Sequence, residues 1–144
     1  MAENTAAAAE QMAMPKHGQI CWSEIAVRDL DNCVNFYTEL FGWKFKKSEV
    51  PEIEMQYHEF SNEETGCPIG GLYKMGEEFG DAPAHWMSYV AVDDVDAAAE
   101  KVKQLGGNVC VPPSDIPNVG RFCVVNDPSG ATFSMIKLTP PKQS

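Results

Sequence analysis

Residues 22–43, WSEIAVRDLDNCVNFYTELFGW, read as a strand, a turn and an amphipathic helix, and residues 87–108, MSYVAVDDVDAAAEKVKQLGGN, read the same way. Sliding the first stretch onto the second pairs Val27 with Val92, Asp29 with Asp94, Leu30 with Val95, Asp31 with Asp96, Leu40 with Leu105 and Gly42 with Gly107, with no gap. Each pair has a physical role. Asp31 and Asp96 are placed to cap a helix, since a carboxylate accepts from the otherwise unsatisfied N–H groups of a first turn. Leu30, Val34, Tyr37 and Leu40 recur at helical spacing, as do Val95, Ala99, Val102 and Leu105. Gly42 and Gly107 follow, glycine being the residue that adopts the left-handed conformation just past a helix. Helices are expected near 30–41 and 94–106.

After each helix the pattern changes to period two. The first half continues with WKFKKSEV, MQYHEF and CPIGGLYKM, the last two separated by NEETG; the second continues with NVCVPP, RFCVVN and ATFSMIKL, with DPSG as the turn. Each half is therefore βαβββ, and the fold class is α+β. One helix covers one face of each four-stranded sheet and leaves the other bare. Two such modules can curve their bare faces into one shared cup. We expect an N-terminal arm over 1–17, one domain over 18–138 with modules of about 18–76 and 84–138, and a tail over 139–144.

Composition narrows the partners. At 144 residues the chain is the length of one average domain. Its net charge of −10 argues against nucleic acid and against an anionic membrane surface, because a polyanion would be repelled. The five cysteines form no CxxC pair, are odd in number and read as free thiols of a reducing compartment, so a cytoplasmic location is expected. No apolar run approaches the roughly 20 residues that span a bilayer. The protein is expected to be a monomer or a homodimer.

The stretches IAVRDLDNCVNFYTELFGW, VAVDDVDAAAEKVKQLGG and FCVVNDPSGATFSMIKL resemble the vicinal oxygen chelate superfamily of glyoxalase I, bleomycin-resistance proteins, extradiol dioxygenases and methylmalonyl-CoA epimerase. The likeness covers roughly residues 18–138. It is strongest to small bacterial glyoxalase-like proteins, in which a DIPNVGR stretch precedes the final hairpin. In metal-dependent members the resemblance implies one ligand from the first strand and one from the last strand of each module. Here those positions fall on Trp22, Met87 and Ser134 and near Gly70. None is His, Glu or Gln, and a divalent cation in such a cup needs several nitrogen or oxygen ligands. No cofactor is expected; a divalent metal held by unorthodox residues is the alternative.

Strand parity then suggests what lines the cup, since alternate side chains share a face. With Trp22 and Met87 inward, Glu24, Ala26, Tyr89 and Ala91 follow, while Cys21, Ser23, Ile25 and Val27 lie under the helix. A four-residue DPSG loop pairs Cys123 with Ser134 and turns Arg121 and Cys123 inward, leaving Phe122, Val124, Phe133 and Met135 against the helix. The same operation in the first half turns Tyr57 and Glu59 inward beside Gly70 and Leu72. The expected site is thus Trp22, Tyr57, Leu72, Met87, Tyr89, Arg121, Cys123 and Ser134 for ligand contact, with Glu24 and Glu59 as candidate bases. Apolar walls with a few polar groups suit a small organic ligand, and an inward carboxylate is a general-base candidate because desolvation favours its protonated form.

None of the three histidines shares a helix face or a ligand spacing with another, so His17, His58 and His85 read as surface or supporting residues. Two functions follow. One is a metal-free binder of a small organic molecule, as in the bleomycin-resistance branch. The other is a lyase or isomerase of glyoxalase type, using Glu24 or Glu59 as base, with Arg121 as the partner of a developing oxyanion, or an atypical divalent metal.

Overall fold

A computed structural model describes residues 14–47, 57–62, 67–117 and 119–139. Most of the expected N-terminal arm, the link between the second and third strands and most of the tail lie outside the described residues. The chain forms two compact units, one of Trp22–Ser88 and one of Tyr89 onward together with the residues up to Cys21. The N-terminal residues join the second unit because Gly18 N donates to Ala91 O at 2.7 Å and Ala91 N donates to Gln19 O at 2.8 Å.

Both units are βαβββ. The first contains β1 (Ile20–Val27), α1 (Leu30–Phe41), β2 (Lys44–Lys47), β3 (Tyr57–Ser61) and β4 (Pro68–Lys74), with strand order β2-β3-β4-β1, followed by a 3₁₀ turn over Glu77–Phe79. The second contains β5 (His85–Ala91), α2 (Val95–Gln104), β6 (Asn108–Ile116), β7 (Gly120–Asn126) and β8 (Thr132–Leu138), in the order β5-β8-β7-β6. β1 runs parallel to β4 and β5 parallel to β8, while the other neighbours in each unit are antiparallel.

The helices lie where expected to within two residues at either end, but their N-caps fall two positions before the expected ones. Asp29 accepts from Asn32 N at 3.1 Å and Asp94 accepts from Ala97 N at 3.0 Å, so these two are the N-caps. Asp31 and Asp96 fall within the first turn, because Leu30 and Val95 must already be helical to reach the core. Gly42 ends α1 with φ +74° and donates to Thr38 O. At the end of α2 it is Gly106, not Gly107, that is left-handed, with φ +91°, and Gly107 N then reaches back to Val102 O at 2.9 Å. Leu40 and Leu105, the last positions of the expected stripes, are exposed.

Under α1 lie Ile25, Val27, Leu30, Phe60 and Leu72, with Val34, Tyr37, Trp43 and Phe45 packed against them. Phe60 is 2% exposed and stacks on Trp43 with centroids 4.4 Å apart, a burial worth roughly 1.5–3 kcal/mol. Under α2 lie Val92, Val95, Ala99, Cys123, Val125 and Met135, joined by Val102, Val109 and Phe133.

Two register features set which side chains face away from the helices. In the first unit β3 and β4 pair Tyr57 with Tyr73, His58 with Leu72, Glu59 with Gly71 and Phe60 with Gly70, but Ser61 with Pro68. Ile69 is therefore an extra residue, and this bulge inverts the parity counted outward from the turn. Leu72 was expected in the cup; it packs beneath α1 instead. In the second unit the hairpin loop holds five residues, because the Asp127 carboxylate accepts from Ser129 N and Ala131 N and draws Ala131 into the turn. β7 then pairs Arg121 with Lys137, Phe122 with Ile136, Cys123 with Met135 and Val124 with Ser134. Arg121 and Cys123 consequently lie on the helix side, and Phe122 and Val124 on the opposite one, the reverse of the sequence expectation. Phe133 and Met135 pack against α2 as expected.

Candidate binding site

On the face of the first unit turned away from α1, four residues stand in one row across the sheet: Lys46, Glu59, Gly71 and Glu24, each in register with the next. Beside this row Tyr57, Tyr73 and Ala26 form the next, and Trp22 precedes Glu24 by two positions on β1. The β1 face is the one parity predicts.

A hydrogen-bond chain crosses the row. Trp22 Nε1 donates to Tyr57 Oη at 3.0 Å, and Tyr57 Oη donates to Glu24 Oε2 at 2.9 Å; both contacts are partly buried. The phenol reaches so far because Gly71 has no side chain: a Cβ there would lie 1.9 Å from Tyr57 Oη. Tyr57 also stacks on Tyr73, with centroids 6.2 Å apart and planes 10° from parallel. Tyr73 is 8% exposed. Burial first, then the negative charges of Glu24 and Glu78, push its phenol up to about 12, so it is a neutral hydroxyl at any physiological pH.

One end of this face is covered. Ala26, Tyr73 and Met75 form a small cluster with Phe79 and Ala82 packed on it. Arg28 holds that segment by donating to Gly80 O and to Ala82 O.

The expected site residues of the second unit divide. Tyr89 and Ser134 are neighbours in register on the face away from α2, 8% and 0% exposed, and Met87 shares their parity on β5. Arg121 does not join them. Its Nε and Nη2 donate to the two oxygens of Asp96 on α2 at 2.9 and 3.0 Å, and its Nη1 donates to Asp115 at 2.9 Å. This fork holds the Asp96 carboxyl below the ordinary aspartate range and raises the guanidinium pKa still further. Arg121 is thus a strut between helix and hairpin. Cys123 is fully buried, and burial pushes its thiol up, which makes it a poor nucleophile.

The histidines supply no common centre. His17 Nδ1 accepts from Asp93 N, His85 Nδ1 lies 2.9 Å from Pro83 O, and His58 is on the helix side with a buried Nδ1 that has no hydrogen-bond partner. Among the described residues no three His, Cys, Asp or Glu side chains gather as a metal cluster. The positions at which the resemblance puts metal ligands do not fit a divalent cation either. Register moves the β4 position from Gly70 to Gly71, which has no donor; Trp22 offers an N–H already given to Tyr57, and Met87 and Ser134 offer a thioether and a hydroxyl.

Residues 19–135 match the model of the Glyoxalase/Bleomycin resistance protein/Dioxygenase superfamily. The chain belongs to that superfamily. Among superfamily relatives, a putative glyoxylase, CFP32, of Mycobacterium bovis is 36% identical over 123 residues, which are 85% of this chain and 45% of the relative. A lactoylglutathione lyase of Arabidopsis thaliana is 31% identical over 121 residues, 79% of this chain and 42% of the relative. This superfamily member thus spans less than half the length of these two relatives. The crystal structure of methylmalonyl-CoA epimerase from Mycobacterium tuberculosis shares the fold, with a TM-score of 0.60 at 14% identity, over 90% of this chain and 96% of that one.

Tyr73 and Gly71 are the residues of the face that sequence reasoning missed. The signal was the glycine pair in PIGGLY: one glycine makes room for Phe60 on the helix side and the next for Tyr57 on the other.

Proposed function

We propose that this chain binds a small organic molecule on the open face of the Trp22–Ser88 unit, without a divalent metal at the family's ligand positions. The observation that carries the reading is the chain from Trp22 through Tyr57 to Glu24, seated over Gly71. It fills with an aromatic ring and a phenol the space in which a ligand-bearing side chain on β4 would have to extend. What remains is an aromatic wall with one carboxylate fixed in orientation, the mixture of apolar surface and few directed polar groups that small-molecule sites use.

The test is mass spectrometry of small molecules released from the denatured protein, with metal analysis of the same preparation. An organic compound retained by the parent and lost from Trp22→Leu supports the reading. Stoichiometric zinc, nickel, manganese or iron that survives dialysis overturns its metal-free part.

A second reading is a lyase or isomerase of glyoxalase type with Glu24 as base. It is favoured by the Tyr57 hydroxyl, which aims one Glu24 oxygen, and by relatives named glyoxylase and lactoylglutathione lyase. Glu59 is the weaker candidate because Lys46 stands in register beside it. Under this reading Glu24→Gln abolishes turnover and leaves ligand retention nearly intact, whereas a pure binder has no turnover to lose.

A further inference from the structure

We infer that the α1 side of the Trp22–Ser88 unit is an interface for a second copy of this chain, paired about a two-fold axis through Phe36, Leu40, Phe41 and Trp86. The inference goes beyond the binding reading above, which concerns the face turned away from α1. Three observations carry it.

The first is a second apolar face on α1. The helix buries one stripe, Leu30, Val34 and Tyr37, in its own core. That stripe accounts for an ordinary amphipathic helix. Phe36, Leu40 and Phe41 lie outside it and are more than half exposed, as is Trp86 on β5. Ring contacts join them into one surface. Tyr37 meets Phe36 at 5.1 Å, Trp86 at 5.9 Å and Phe41 at 6.3 Å between centroids, and Leu40 follows Phe36 by one helical turn. The surface is held firmly from below, since Phe41 rests on Trp43 at 4.8 Å and Trp43 stacks on buried Phe60. Little side-chain freedom is left to lose on association, and large rings fixed in this way are the usual anchors of an interface.

The second is area. Three half-exposed aromatic side chains and a leucine leave roughly 350–450 Å² of apolar surface in water. A stable dimer covers about 800 Å² on each partner, of which about 450–520 Å² is apolar. The patch supplies most of that apolar share, and exposed Asn32, Asn35 and Thr38 on the same helix provide a polar rim.

The third is the match of the patch to itself. Phe36 and Leu40 form an i, i+4 ridge, and two such ridges on identical helices interdigitate at an angle of about −50°. A two-fold pairing needs only this one patch, presented by both partners. Its four residues are uncharged, and α1 carries no charge beyond Asp31 and Glu39. A chain of net charge −10 therefore meets its copy here with little local repulsion, whereas a basic partner would find no carboxylate among these four side chains.

The experiment is sedimentation equilibrium of the full chain, parent against Phe36→Lys, Leu40→Lys and Leu105→Lys, with circular dichroism of each to establish folding. The parent should dimerise. Phe36→Lys should weaken association roughly 100-fold, because a two-fold interface contains the residue twice, at about tenfold each. Leu40→Lys should weaken it as well, and keeps the test open if Phe36→Lys fails to fold, since Leu40 belongs to no core cluster. Each lysine makes the chain less negative, so a lost dimer cannot be blamed on added repulsion between copies. Leu105→Lys alters an exposed leucine of the other unit and should leave the dimer as it is. Raising the salt from about 0.05 to 0.5 M should tighten the parent dimer by screening two copies of like charge. A parent that stays monomeric up to about 0.5 mM at both salt concentrations overturns the inference. So does a dimer that survives both α1 substitutions, or one that Leu105→Lys disrupts as strongly. A monomeric parent that floats with phosphatidylcholine vesicles, while Phe36→Lys does not, gives the face to a lipid surface and overturns it too.

Discussion

Replacing Gly71 by alanine is the smallest change that should disassemble the site. Gly71 is buried and has no positive φ, so alanine meets no backbone strain there. What it meets is Tyr57: the added Cβ would lie 1.9 Å from Oη, 2.2 Å from Cζ and 2.7 Å from Cε1. No few-tenths adjustment relieves three such approaches on one rigid ring, so the tyrosine must leave its rotamer. Two hydrogen bonds go with it. A neutral one is worth about 1 kcal/mol and one to a carboxylate about 1.5–3 kcal/mol, and forced repacking adds about 1–3 kcal/mol. Allowing for rearrangement and solvation of the freed groups, a loss of about 3 kcal/mol is expected, a fall of roughly 10 °C in Tm for a chain of this size. Urea unfolding of the parent, Gly71→Ala, Tyr57→Leu and the double variant measures it as a cycle. The double variant should be less damaged than the sum of the two singles, because leucine no longer projects into the alanine's space. A Gly71→Ala protein within about 0.5 kcal/mol of the parent, or a cycle that is strictly additive, refutes the steric argument.

Other expectations follow from the same geometry. Phe60→Ala should cost about 3–5 kcal/mol in urea unfolding, since it empties the stack against Trp43 beneath α1. Arg121→Met should leave ligand retention unchanged, reversing what sequence parity implies, with affinity measured on the variant as the check. The depressed Asp96 pKa contributes stability that is full above the unfolded aspartate pKa of about 4 and is lost as the pH falls through the lower folded value; Arg121→Met should therefore show a shallower loss of Tm in acid than the parent. Iodoacetamide applied to the native protein should label exposed Cys110 well before buried Cys123, read by peptide mass spectrometry. Asp29→Ala and Asp94→Ala should each cost about 1 kcal/mol, more than Asp31→Ala, in the same unfolding assay.

The two helices, their stripes and the parity of β1 were legible because each depends on neighbours close in sequence. Leu30 and Val95 declare the apolar face of their helices, and Ile25 and Val27 declare the buried face of β1. Hairpin register is a different kind of quantity, since one residue more or less in a turn or a strand exchanges the two faces of everything beyond it. Asp127 capturing Ala131, and Ile69 standing out of the β3–β4 ladder, are each a one-residue event. Together they misplaced Leu72, Arg121 and Cys123 and hid Tyr73. The carboxylate forks to Arg121 were illegible for the same reason: Asp96 and Asp115 become neighbours of the guanidinium only when β7 has the observed register.

The Ile69 bulge makes β4 a strand that carries one residue more than its ladder with β3 uses. Deleting Ile69 would close the ladder, with Ser61 still opposite Pro68 and Phe60 opposite Gly70, and would keep Leu72 beneath α1 and Tyr73 on the other face, whereas deleting a paired residue such as Gly71 or Leu72 would exchange the faces on one side of the gap. Loss of Ile69, whose side chain is 39% exposed, should therefore be tolerated far better than loss of any paired residue from Gly70 to Tyr73. A deletion scan set beside a substitution scan along Pro68–Lys74 would therefore separate two kinds of information in one strand: which residue occupies a position, and how many positions come before it.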